Sequence, residues 1–420
     1  MSAPGPFGGG GPLEDLMRNL ARLLTSQGPV NWEIARQMAQ WAATGGAPDS
    51  NPDPVTRVRL EELLRVAELH VGEATGLAVT AGGLLSVRAV TPRDWALRTL
   101  EAWAPLLEQL ASSSGSAFSL GGGPAGDEGA GTGVPATGAP GAGAGIEGPA
   151  PGSAFDPMAQ LFANLPQVLG PFLFGMQAGS MVGQLGQTAM GQYDLPMPRP
   201  AGDGLLMVPG TIDTFASDWS LQADDVRLWV CLRETANHAV LGRSHVRGRL
   251  DELIGAYVGA FRPDPQALEE RLGGFDPTDM AGLQAAFGDP ETLLGELQND
   301  EQRRLQVPLR ALLSAVAGYV DHVMDGVGRR LIGSYGPLTE ALRRRRIQES
   351  GGTRILGQLF GVALDEAGYA RGQTFVRGIV ERAGEAGLAR LWHSARELPT
   401  PAEIEAPGLW LARIDLPDDP

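Results

Sequence analysis

The chain has 420 residues, room for two or three ordinary domains, but its 59 Gly, 32 Pro and only 6% aromatic residues leave part of that length too poor in bulky side chains to form core. A net charge of -16 excludes a general nucleic-acid surface, because phosphate binding needs clustered Lys and Arg, while 43% hydrophobic residues still allow a sizeable core. Cys231, the only cysteine, excludes an intramolecular disulfide and a cysteine-based metal cluster.

The opening "MSAPGPFGGGGPLEDLMRNL" has no basic stretch followed by an apolar one, so a cytoplasmic location is expected. Residues 1–27 read as a flexible tail with a short amphipathic piece at Leu13 to Leu24. Residues 28–111 read as an N-terminal helical segment. In it, Asn31 is a candidate N-cap for "WEIARQMAQWAA", and Glu33 places negative charge in the first turn. "PVTRVRLEELLRVAELHVGEATG" carries Leu60, Leu63, Leu64, Ala67 and Val71 at helical spacing. "TPRDWALRTLEAWAPLLEQLA" has Thr91 as N-cap and Pro92 at the first helical position.

From 112 to 153 nearly every residue is small, Gly or Pro, so burial cannot offset the entropy of ordering the segment. The expectation is a disordered linker, spanning on the order of 35 Å root-mean-square as a coil. Residues 154–420 read as one helical domain. Its first run, 155 to 195, is almost free of charge and spaces Gly175, Gly179 and Gly183 four apart, which favours a tightly packed helix. Pro166, Pro171 and several glutamines break the run, so no membrane span is expected.

Further helical patterns lie at 223–241, 245–262, 266–272, 291–299, 304–331, 336–349, 354–361 and 370–384, with short strands expected only near 204–208 and 408–415. The fold class is mainly α.

The segment 223–241 carries the chemistry. In the motif H-E-x-x-H, two histidines one helical turn apart bind Zn²⁺ and the intervening glutamate polarises the attacking water. Here the frame reads Arg233, Glu234, Thr235, Ala236, Asn237. Arginine has no lone pair to give a metal, and the Asn carbonyl is a weak zinc ligand beside imidazole. A displaced site would use Glu234 with His238, again four apart, and His245 beyond the turn at Gly242. The bland reading keeps Glu234 in a buried ion pair with Arg233 or a downstream arginine.

The blocks "GPVNWEIARQMA", "RLEELLRVAELHVGEATGL", "VRLWVCLRETANHAVLGRSHVRGRL", "LSAVAGYVDHVMDGVG", "LRRRRIQESGGTRILGQLFGVAL" and "LWHSARELPTPAEI" resemble a zincin-like bacterial family, common in actinobacteria and labelled hydrolase or zinc-dependent metalloprotease. The resemblance implies a zincin-like multi-helix domain. It also implies histidine ligands at the places of Arg233 and Asn237, and a glutamate ligand in a Leu-Glu-Gly where this chain reads Val316, Ala317, Gly318. Of that set only Glu234 survives, as a general base if a metal is bound.

Two functions follow as expectations. The first is a protein that has lost zinc-dependent hydrolysis and acts by binding a peptide or protein partner, a second copy of itself included, with no cofactor. The second is an active zinc-dependent peptidase with ligands rebuilt from His238, His245 or His322. The run Arg343 to Arg346 reads as a solvated helix face paired with carboxylates, or else as an anion clamp. Cys231, on an apolar helix, is expected to be a poor nucleophile.

Overall fold

The computed structural model describes residues 28–80, 82–118, 156–200, 202, 204–262, 298–347 and 351–417. The expected tail at 1–27 and the helix at 266–272 lie outside them, as does 291–297 of the expected helix at 291–299.

Local signals set the first helices. In α1 (Trp32–Thr44) the Asn31 side chain accepts from Ile34 N at 3.2 Å, and Gly45 ends the helix at φ 60°, in the left-handed region. Helix α2 (Pro54–Thr75) starts from Asp53 and stops at Gly76, φ 64°. After β1 (Ser86–Ala89), helix α3 (Pro92–Phe118) opens with Thr91 Oγ1 accepting from Asp94 N at 3.1 Å.

Helix α3 runs further than its sequence promised. Ser112 to Phe118 continue it, so the expected linker cannot begin at 112. Ser112 Oγ donates to Glu108 O at 2.7 Å, so the helix takes up the serine hydroxyl after the buried turns of Trp103, Leu107 and Leu110 have fixed its register. The rest of the expected linker, from 119 on, lies outside the described residues.

Helix α4 (Asp156–Thr188) lies against α1 through its glycines. A Cβ on Gly175 would stand 2.4 Å from Asn31 O, and one on Gly179 2.2 Å from Ala35 O. The four-residue glycine spacing is thus a helix-crossing device. Among the described residues no helix is long and apolar enough to cross a membrane.

Strand β2 (Gly204–Met207) pairs in parallel with β1 from Ser86↔Gly204 to Ala89↔Met207, and Gly191 bridges Met207 on its other side. The second expected strand is absent. Residues 407–414 form a helix instead, because Pro407 starts it and Trp410 and Ile414, one turn apart, are its buried residues. Strand β1 was missed, since four residues with a single buried side chain give too little alternation to register.

The remaining elements are α5 (Pro209–Asp218), α6 (Ala223–Leu241), α7 (Ser244–Gly259), α8 (Asp300–Leu331), α9 (Tyr335–Ile347), α10 (Gly351–Leu359), α11 (Glu366–Ala389), α12 (Pro401–Glu405) and α13 (Pro407–Ile414). The class is mainly α, as expected. One hydrophobic cluster runs from Ala35 to Ile414, so the N-terminal helices and the C-terminal half share a core. Helix α6 lies inside it, packed by α2, α5 and α8.

Candidate functional site

The N-terminal end of α6 is tied down. Asp224 receives Arg59 and Arg227, and Asp225 Oδ2 accepts from Ser334 N at 3.1 Å. The middle of the helix is closed off from solvent, Glu234 included at 1% exposed.

A non-helical segment, residues 189–194, faces that carboxylate. It is held just past β2 through Val208 N donating to Met190 O at 3.0 Å and by α3 through Trp95 Nε1 donating to Gly191 O at 2.8 Å. Tyr193 N donates to Glu234 Oε2 at 2.8 Å. Gly191 lies so close that an added Cβ would stand 2.3 Å from Glu234 Cδ, so only glycine fits there.

On its other side Glu234 meets a cation from its own helix. Arg233 Nη1 lies 3.6 Å from Glu234 Oε1 and 3.7 Å from Asp194 Oδ1, with its guanidinium over the Trp229 ring. Asp194 is braced in turn by Met190 N at 2.5 Å. Burial pushes the Glu234 carboxyl up to about 7, against the pull of Arg233 and the backbone amides of Tyr193 and Gln192. Asn237 turns its amide onto its own helix, Nδ2 donating to Arg233 O at 2.9 Å. Ala317, on α8, is half-buried and has no side-chain donor atom.

His238 forms a 2.9 Å hydrogen bond through Nδ1 with the Tyr193 hydroxyl, which burial pushes up to about 12. His238 and His245 line one pocket of about 430 Å³, which they share with His393. Sequence reasoning missed His393 because it is distant in the chain and belongs to no spaced motif. His322 is elsewhere, with Nε2 3.0 Å from Glu385 Oε1 on α11.

Zinc needs several imidazole, thiolate or carboxylate donors converging on one point. Among the described residues no three His, Cys, Asp or Glu side chains do so. The carboxylate that would act on a metal-bound water instead faces a guanidinium and two backbone amides. The described residues around Glu234 do not fit zinc.

Beyond Asp194 opens a larger cleft of about 700 Å³, lined by Arg310, Arg343, Arg346, Arg354 and Tyr369. The basic run divides its work. Arg344 pairs with Glu340 on the surface, Arg345 reaches the Thr188 carbonyl, Arg346 lies 3.7 Å from Asp321 and over the Tyr369 ring, and Arg343 stands exposed at the cleft. Cys231 is fully buried, and burial pushes its thiol well up, which makes it a poor nucleophile.

A mainly helical molecule that buries a glutamate between two positions one turn apart on its central helix has the layout of a zinc-peptidase helix. The chain belongs to the zincin-like metallopeptidase family, whose model matches residues 30–411. It is similar in fold to the crystal structure of a proposed hydrolase with a novel fold from Chloroflexus aurantiacus, with a TM-score of 0.59, 22% sequence identity, and 92% of this chain and 99% of that chain covered. No curated protein matches the chain.

Proposed function

We propose that this protein has lost zinc-dependent hydrolysis and works in the cytoplasm by binding a peptide or protein segment, from a partner or a second copy, in the cleft beside Arg233. The observation that carries this reading is the position of Arg233 between Asp194 and Glu234. A fixed cation there neutralises the carboxylates that a metal would otherwise face, and it has no lone pair with which to bind a metal or activate water.

The cleft supports the choice of ligand. At about 700 Å³, with four arginines against Asp194, Asp365 and Glu366, it offers a net positive lining in an acidic chain. Acidic extended segments suit that lining, because guanidinium forks hold carboxylates in pairs.

Fluorescence anisotropy with labelled acidic and basic peptides tests the assignment. Acidic peptides are expected to bind, and to bind roughly tenfold more weakly to Arg343→Glu, an exposed side chain whose reversal leaves the core untouched. Equal binding of both peptide classes, or no response to Arg343→Glu, would rule out the cleft as the docking site. Sustained peptide hydrolysis that chelators abolish would instead support an active peptidase with rebuilt ligands.

A further inference from the structure

The pocket that holds His238 and His245 has a second property, independent of any metal. Its polar lining includes Arg199, Arg243 and Arg247 together with the histidines, and among the described residues it contains no aspartate or glutamate. In a chain of net charge -16 that is a pronounced local reversal of sign.

Arg199 is the most constrained of the three. Its Nη2 donates to Thr99 Oγ1 at 2.8 Å, and its guanidinium lies over the rings of Trp95 and Trp103, at 5.6 and 5.9 Å from their centroids. Its Nε is shut off from solvent with no hydrogen-bond partner. Burial pulls its pKa down to about 10, which still leaves it charged at neutral pH.

A guanidinium in such a place ordinarily faces a carboxylate, as Arg227 faces Asp213 and Arg413 faces Glu403. Arg199, Arg243 and Arg247 make no ion pair with a described residue, although Glu234 acts on Arg199 and Asp251 on Arg247 at longer range. His245 is not one of its donors: burial and Arg243 pull its pKa down, and its ring already donates to the Trp392 backbone, which leaves Nε2 as a lone pair. The donors of the site are its three guanidinium groups.

We propose that this pocket binds the phosphoryl group of a small phosphate monoester, with Arg199, Arg243 and Arg247 as its donors. Three guanidinium groups match a dianion better than a single carboxylate, and the planar fork of arginine suits paired phosphate oxygens. The apolar part of the lining, Val79, Pro200 and Leu241, gives the ester body a surface to cover. A volume of about 430 Å³ sets the size of that body to a small molecule. The site shares no lining residue with the Asp194 cleft, so its assignment does not rest on the peptide-binding reading.

The test is calorimetric titration of the full chain with inorganic phosphate, phenyl phosphate and acetate. Single-site saturable binding of inorganic phosphate is expected, with phenyl phosphate tighter and acetate far weaker. The double variant Arg243→Gln/Arg247→Gln should weaken phosphate binding by about tenfold or more, with its unliganded melting temperature unchanged, since neither side chain belongs to the core. Should that double variant melt early, Arg199→Lys gives the second reading: a retained charge without the fork should still weaken phosphate binding. No saturable heat with phosphate up to about 10 mM, binding indifferent to these substitutions, or acetate binding as tightly as phosphate would overturn the assignment.

Discussion

Glu234 is a carboxyl group shut off from solvent, and its proton gives a direct handle on the site. Its folded pKa of about 7 stands above the ordinary 4.5, so between those values the folded chain holds a proton that the unfolded chain releases. The contribution of this group to stability is therefore greatest below the unfolded value and falls as pH rises through about 7, by about 3 kcal/mol in all. Glu234→Gln should remove that slope. Urea midpoints measured at about pH 5 and about pH 8 should diverge more in the wild type than in the variant, and equal slopes would mean that Glu234 is not buried in this way. Gly191→Ala should cost about 1–3 kcal/mol, because the Glu234 carboxyl that its methyl would meet is pinned by Tyr193 N and cannot swing aside. Thermal denaturation reads that loss, and an unchanged melting temperature would refute the contact. Arg233, Glu234 and Asn237 were legible because helical spacing announces them. Gly191, Tyr193 and Asp194 were not, because they come from a loop whose position depends on pairing with β2 and on Trp95 of α3.

At the scale of elements, helix crossings turn on single hydrogen atoms. In α8, a Cβ on Gly318 would lie 2.2 Å from the Gly372 carbonyl carbon of α11, whereas one on Gly326 would meet nothing within 4 Å. The same substitution in the same helix should therefore have opposite signs. Gly318→Ala is expected to destabilise by about 1–3 kcal/mol and Gly326→Ala to stabilise by about 0.5–1 kcal/mol, through helix propensity alone. Chemical denaturation of the pair decides the point, and two shifts of the same sign would contradict the packing described. The helices announced themselves through caps and periodicity, as at Asn31, Thr91 and the α1–α4 glycines. Helix α13 did not, because a short stretch with alternating bulky residues fits both periods until its tertiary partners choose one. The two short strands owe their existence to each other, and only β2 had a pattern of its own to read.

Over the whole molecule, charge divides the surface into distinct tasks. A chain of net charge -16 keeps two arginine-rich concavities, one past Asp194 and one around Arg199, with no lining residue in common. Composition could not reveal either, since both gather residues from separated elements. The continuous core encloses α6, so Arg233 cannot leave Glu234 without leaving a buried carboxyl group unpaired.

The account rests on that guanidinium standing where a metal would. Zinc analysis of protein purified without a histidine tag, run beside the variant Arg233→His/Asn237→His/Ala317→Glu, tests it most directly. The wild type is expected to carry far less than stoichiometric zinc, and the triple variant, which carries the donors that the resemblance implies, to carry more. A wild type that retains stoichiometric zinc through dialysis, and loses it on His238→Ala or His245→Ala, would contradict the account.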